Sequence, residues 1–226
     1  MFLIVTPPVI VLRPCMGRRQ TLRVIRILIC WYGLIIVRGL TFPFVRLIYT
    51  DDEAGQDCGA CVYVCNHRSS SDGFLMALLN REVVQVVNNW PFKIPLMGWV
   101  ARIAGYLSIR TMPFEEFSKK SSELLAQGVS IIAFPEGSRS VDKTLQQFNG
   151  AIFRVAQAAR VPIIPLCLSG NQTIPAKGSV VLTPGTIRVR KLPALTWESY
   201  QDFSAFKLKN RVREILQAEV NRWESA

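Results

Sequence analysis

The sequence predicts an α/β fold: a largely parallel sheet flanked by helices, with an N-terminal helical pair that docks on a membrane. Two observations carry this. From residue 60 onward, short apolar or β-branched runs alternate with helical segments over about 130 residues, the pattern of strands joined by helical crossovers. Before residue 51 the chain is apolar and basic, without one acidic residue.

Taken in order, residues 18–49 read as two short apolar helices broken near 39–43, and 51–59 as a polar turn region with two glycines. A strand over 61–65 is followed by a helix over 73–79 and an apolar strand over 81–87. A helix over 95–103 leads to a strand over 106–110. The helix predicted over 114–127 is closed by Gly128, a C-terminal cap. Next come a buried strand over 129–134, a helix over 151–160 and a strand over 163–168. Segments 179–182 and 186–192 flank Pro184-Gly185 and read as a hairpin. The last element is an amphipathic helix over 205–223, with Leu208, Val212, Ile215, Leu216 and Val220 at helical spacing. This divides the chain into docking helices (1–50) and an α/β domain with its C-terminal helix (51–226).

Composition narrows the class. Half of the residues are hydrophobic and the mean hydropathy is +0.23, apolar for a soluble enzyme of this length. No window of about 18 uncharged apolar residues is present, so a spanning helix is not expected and the chain reads as lying on or dipping into a bilayer. Seven of the arginines behind the net charge of +11 (13, 18, 19, 23, 26, 38 and 46) lie in the first 50 residues. Interleaved with Leu, Ile, Trp and Phe, they suit an anionic cytoplasmic leaflet, the inner membrane if the source is bacterial. A pI near 9.8 also raises nucleic acid, but no nucleic-acid module is visible, so no such partner is expected.

Residues 1–12 lack a basic leader region and a small-residue cleavage site, so the six cysteines read as reduced thiols rather than disulfides. Residues 1–15 differ in character from the rest of the chain, and Met16 is a second candidate start. Cys58, Cys61, Cys65 and His67 approach a zinc spacing. A strand over 61–65, however, separates Cys61 from Cys65 by roughly 13 Å, whereas zinc binds sulfurs at about 2.3 Å. No metal is expected.

The chemistry-bearing motifs follow strands, where α/β sheets bind ligands. Asn66-His67-Arg68-Ser69-Ser70-Ser71-Asp72 holds the only histidine in the chain. A histidine accepts and returns a proton near neutral pH, and a carboxylate on its Nδ1 fixes its tautomer. Five helical residues would turn the two side chains about 140° apart. The pair therefore needs His67 in the loop and Asp72 at the helix start, where Asp72 could equally be only an N-cap. Serines 69–71 could supply a nucleophile, as could a substrate hydroxyl. Phe134-Pro135-Glu136-Gly137-Ser138-Arg139 places a permissive glycine beside donors and a guanidinium fork suited to phosphate; its plainer reading is a strand-to-loop turn with a surface ion pair. Gly105-Tyr106-Leu107-Ser108-Ile109-Arg110 ends another strand in arginine, and Val161-Pro162-Ile163-Ile164-Pro165 is a proline-bounded buried strand.

These four blocks, in this order, resemble the glycerolipid acyltransferase family that includes the lysophosphatidate acyltransferases. That family carries Asn-His-x4-Asp, Gly-x4-Arg, Phe-Pro-Glu-Gly-(Thr/Ser)-Arg and Val-Pro-Ile-x-Pro. The resemblance covers roughly residues 60–192 and extends to Phe148-x-Gly150-Ala151. It implies His67 as general base and Asp72 as its orienting partner. It implies Arg110, Glu136, Gly137, Ser138 and Arg139 as acceptor-headgroup residues. The implied reaction moves an acyl group from acyl carrier protein or coenzyme A, both acidic, to a lysolipid hydroxyl, with no cofactor. A phospholipid transacylase using the same pair and a non-catalytic membrane-surface binder are the alternatives. One stretch departs from the pattern. Where many lysophosphatidate enzymes have Lys, an acid and Leu, this chain has Asn88-Asn89-Trp90-Pro91, which opens the acceptor to a different lipid headgroup, such as a lyso-aminolipid or an aryl-containing lipid.

Overall fold

A computed structural model describes residues 17–224 apart from 55, 70, 96, 140–143 and 175–182. Among the described residues six strands form one sheet. They are β1 (Val45–Asp51), β2 (Val62–Cys65), β3 (Val83–Val86), β4 (Ser130–Ala133), β5 (Ile163–Ser169) and β6 (Gly185–Lys191), in the order β1-β6-β5-β2-β4-β3. Every pairing is parallel except that of β5 with β6. β2, β3, β4 and β5 therefore end on one rim, with β2 between β4 and β5.

The central strands are apolar throughout because both faces are covered. Val62 and Val64 of β2 point into one core; Tyr63 and Cys65 point into the other. The first core is roofed by three helices. These are α5 (Phe114–Ala126), α6 (Ala151–Ala159) and α8 (Ala205–Glu224), the last preceded by a short α7 (Trp197–Tyr200). The seam expected on the last helix is real: Leu208, Val212, Leu216 and Val220 are each 1% exposed or less. The second core lies beneath α1 (Arg18–Leu34), its π-helical continuation Ile35–Leu40, and α2 (Asp72–Leu75) with the 3-10 turn Met76–Leu79. Helices α3 (Trp90–Lys93) and α4 (Met97–Ile103) follow β3.

Four expectations need correction. The predicted N-terminal helical pair is one continuous helix to Leu40, and the break near 39–43 leads into β1. Segment 45–51 thus belongs to the sheet, which moves it out of a separate helical unit over 1–50. Its parallel partner β6 lies some 140 residues away, so nothing local announces a strand. By length and composition the helix over Arg18–Gly39 is also long and apolar enough to cross a membrane, with mean hydropathy 1.6, although no uncharged window marks it. The strand expected over 106–110 shrinks to one bridge, Val86 to Leu107, followed by a turn at Arg110. Of the expected hairpin, residues 185–191 form β6, which pairs with β1 and β5, and residues 179–182 lie outside the described residues.

α1 is fastened lengthwise to the domain. Buried Arg26 donates from Nε to the Ala104 carbonyl at 2.9 Å and from Nη1 to Glu82 at 2.8 Å. Cys30 Sγ lies 3.4 Å from the Ala77 carbonyl. Arg26, counted in the sequence among the docking arginines, is a core residue.

Candidate active site

The site is built where β2 ends. Cys65 closes the strand, and buried Asn66 ties its end to β5: the side-chain amide donates to the Leu168 carbonyl at 2.9 Å, and the Leu168 N–H returns a bond to Oδ1 at 2.7 Å. The next residue, His67, then stands in the loop, and α2 begins at Asp72, as the pairing requires. His67 Nδ1 and Asp72 Oδ2 are 2.7 Å apart. A carboxylate only accepts, so Nδ1 carries the proton of a neutral ring and Nε2 is the basic nitrogen.

Asp72 is wholly buried, and its carboxylate is met by donors. The N–H of Arg68 reaches Oδ2 at 2.7 Å, and that of Ser69 lies 3.1 and 3.0 Å from the two oxygens. The Asn171 side-chain amide donates to Oδ1. Asp72 is thus not the N-cap of the plainer reading. Ser71 occupies that position without a side-chain cap, and the Asp72 carboxylate turns back to the loop that bears His67. The hydroxyl of Ser69 accepts the Ser71 N–H, and Ser71 Oγ is buried; Ser70 lies outside the described residues.

The imidazole packs on Phe134 with ring centroids 5.0 Å apart, and His67 lines a cleft of about 180 Å³ with Gly73, Gln85, Asn88, Arg110, Gly137 and Arg139. The structure therefore brings His67, Arg110, Gly137 and Arg139 to one cleft. Both guanidinium groups belong to exposed residues that reach it. Gly137 has φ +70°, the left-handed backbone its identity allows.

Glu136 and Ser138 are placed differently. Glu136 is 8% exposed and spends both oxygens on backbone, accepting the His67 N–H at 2.7 Å and the Gln146 N–H at 3.0 Å. Ser138 Oγ donates to Gln146 Oε1 at 2.9 Å. Both brace the loop after β4, and neither lines the cleft.

Sequence reasoning passed over Asn171 and Gln85. The signal for Asn171 was available: a polar residue just past a buried strand ending on the rim that carries His67. Gln85 sits inside β3, donates to the Gly73 carbonyl at 2.9 Å, and lines both this cleft and an apolar cavity of about 320 Å³ next to it. Gly73, Val87 and Pro91 are also shared; Arg26, Tyr32, Met76 and Tyr106 are among the other residues that line the larger cavity.

Of the cysteines, Cys61 and Cys65 are buried and Cys65 Sγ faces Met76, while Cys58 lies at the opposite end of β2 from His67. The Cys61 thiol hydrogen-bonded to it, and then the Arg81 guanidinium 3.9 Å away, bring the Cys58 thiol down to about 6. The same bond and then burial push the Cys61 thiol up. Among the described residues no group of three or more His, Cys, Asp or Glu side chains is arranged to hold a metal.

Fold and cleft define a protein built around one histidine–carboxylate pair at the carboxyl rim of a mostly parallel sheet, with cations beside it. The chain belongs to the acyltransferase family: the family's model, described simply as Acyltransferase, matches residues 46–169, more than half of its length. A chloroplastic 1-acyl-sn-glycerol-3-phosphate acyltransferase of Brassica napus is 34% identical over 133 residues, 57% of this chain and 39% of that protein. The 1-acyl-sn-glycerol-3-phosphate acyltransferase alpha of Ovis aries is 31% identical over 160 residues, 69% of this chain and 56% of that one. The matches thus span well under two thirds of these relatives. The fold is similar to the crystal structure of a 1-acyl-sn-glycerophosphate acyltransferase from Thermotoga maritima. The TM-score is 0.78 at 22% identity, covering 98% of this chain and 89% of that one.

Proposed function

We propose that the chain transfers a fatty acyl group from an acyl thioester to the hydroxyl of a lysolipid, lysophosphatidate or a close relative, with His67 as general base. The observation that carries this reading is the 2.7 Å contact between His67 Nδ1 and a buried carboxylate beside a cleft that two arginines reach. Nε2 takes the proton of the acceptor hydroxyl as that oxygen attacks the thioester carbonyl. Asp72 stabilises the imidazolium, and the proton passes to the leaving thiolate. Arg110 and Arg139 hold the anionic headgroup, and positioning the hydroxyl in this way removes much of the barrier.

The apolar cavity takes the donor chain. It shares a wall with the cleft, and its volume falls within the roughly 300–1,000 Å³ of ligand pockets. The thioester comes from acyl carrier protein or coenzyme A, and no cofactor enters the scheme.

The same reading places the protein on the cytoplasmic face of a membrane. Ile27 and Trp31 on α1 and Ile35 at the start of its continuation, at four-residue spacing, are 42%, 62% and 44% exposed, and Phe42 and Phe44 beyond the helix are 75% and 59% exposed. Because the other face of α1 is fastened along the domain, the helix lies in the interface instead of crossing it.

The test is acyl transfer by the full chain in detergent with lysophosphatidate and radiolabelled oleoyl-coenzyme A. His67→Ala and Asp72→Ala are each expected to lower turnover by roughly 100- to 10,000-fold, the usual cost of losing a positioned base. Near-normal turnover in His67→Ala rules out the mechanism, and a trapped acyl-enzyme lost on replacing serines 69–71 would put a serine in the hydroxyl's place.

A further inference from the structure

We infer that Asn171 is a positioning residue of this site: its amide holds Asp72 Oδ1 so that Oδ2 stays on His67. The inference rests on the general-base reading above and deepens it.

The local fold delivers Asn171 to that place. β5 ends at Ser169, and Gly170 follows at φ +84°. A side chain there would meet the Thr186 carbonyl oxygen at 1.9 Å, so glycine is required twice over, by backbone angle and by space. The chain then turns through a 3-10 segment, Asn171–Thr173, and Asn171 is wholly buried under α2.

What the amide does there follows from donor counting. Asp72 turns about a broad, roughly two-fold torsion, so its carboxylate plane needs fixing. The Ser69 N–H cannot fix it, lying 3.1 Å from one oxygen and 3.0 Å from the other. The Arg68 N–H and His67 Nδ1 both gather on Oδ2. The Asn171 amide donates to Oδ1 without a second bond to Oδ2, so among the described residues it is the donor that holds Oδ1 alone, opposite the two gathered on Oδ2. Its orientation is dictated by charge, since the flipped amide would point its oxygen at a carboxylate. Asn171 Oδ1 is buried and, among the described residues, accepts no hydrogen bond. A buried amide with one end unsatisfied is a poor structural choice beside an isosteric leucine, so the end that is satisfied, on Asp72, is where its use lies.

The lone histidine makes the test direct, because ¹⁵N-histidine NMR of the full chain reads His67 without overlap. With Asn171→Leu, the Nε2–H tautomer is expected to rise at the expense of Nδ1–H. Turnover should fall about tenfold or more, with both Michaelis constants within about twofold of wild type, because a wrong tautomer removes the base and leaves binding intact. Asn171→Asp is the second variant, for use if leucine does not fold. Protonated, it donates to Asp72; ionised, it cannot, so its activity relative to wild type should fall as pH rises. A folded Asn171→Leu with wild-type tautomer and turnover overturns the inference, as does an Asn171→Asp enzyme whose relative activity is flat with pH. If His67→Ala instead retains activity, the general-base reading itself has failed, whatever Asn171 does.

Discussion

Glu136 accepts the backbone N–H of His67 at 2.7 Å, so the motif after β4 holds the motif after β2. Its other oxygen takes the Gln146 N–H at 3.0 Å. One carboxylate thereby ties the two ends of the β4–α6 connection to the loop after β2, and the resemblance that assigned Glu136 to the acceptor headgroup described a block as a whole, without separating the residue that braces from those that bind. Glu136→Gln keeps the shape but leaves one of the two backbone N–H groups unmet, at a cost of about 1–3 kcal/mol. With melting temperature moving about 2–4 °C per kcal/mol in a chain of this size, a drop of several degrees should accompany a lower kcat. The acceptor KM should hold within about twofold, as expected when positioning and not ground-state binding is lost. A raised acceptor KM with an unchanged melting temperature would return Glu136 to the headgroup.

Arg139 and Arg110 reach the His67 cleft, and Asn88 lines the same cleft where a charged residue is usual in lysophosphatidate enzymes. Arg139→Lys keeps the charge and loses the planar fork, so the acceptor KM should rise by about tenfold, about 1.4 kcal/mol. Arg211→Lys, on the exposed face of α8, is the control and should change neither constant. If Arg139 only braces its loop, the melting temperature falls and KM holds. Asn88→Lys should shift preference toward acceptors with a doubly charged phosphate monoester; an unchanged ranking across a panel of lysolipids would remove Asn88 from headgroup selection.

What the sequence made legible was the set of parallel strands and the motifs at their ends. β2, β4 and β5 are apolar, bounded by turn residues, and followed at once by polar groups, so the rim could be drawn before any contact was known. β1 escaped because an edge strand of mixed exposure, Val45–Asp51, carries no clean alternation, and its partner is distant in sequence. In the sequence Glu136 reads as a ligand group, because a buried carboxylate bound by two backbone N–H groups looks, in one dimension, like a carboxylate in a binding loop. Arg26 falls with the docking arginines in the sequence because burial of a single position on an apolar, basic helix depends on which neighbour it meets, here Glu82 and the Ala104 carbonyl.

Two half-buried thiols make opposite predictions. Burial pushes the Cys30 thiol up, whereas the Cys61 bond and Arg81 bring Cys58 down to about 6. A thiolate, not a thiol, is alkylated, so iodoacetamide at pH 7 should label Cys58 ahead of Cys30. The labelling rate should climb with pH through about 6, and Arg81→Ala should move that rise to higher pH. Because the folded value lies below the ordinary 9.0, the thiolate adds stability above that ordinary value and loses it as pH falls through about 6. Labelling of Cys58 that follows an ordinary thiol, rising only near pH 8.5 to 9, would contradict the pairing.

The membrane face needs point substitutions, since deleting residues 1–50 would remove most of β1 and open the edge of β6. Trp31 and Phe42 are the most exposed large apolar residues on and just beyond α1, at 62% and 75%. Fully burying such a side chain gains about 1.5–3 kcal/mol. Even half of that at each site means that Trp31→Glu with Phe42→Glu should lower sedimentation with phosphatidylglycerol vesicles by roughly 10- to 100-fold. The folded domain should be untouched, because neither side chain is part of either core. Exposed Arg38 and Arg46 lie on the same stretch, each worth about 1 kcal/mol near an anionic surface. Replacing phosphatidylglycerol with phosphatidylcholine, or raising salt, should therefore weaken wild-type binding in part, leaving the apolar contribution that the double variant lacks. A double variant that sediments as strongly as wild type on both lipids would place the docking surface elsewhere on the molecule.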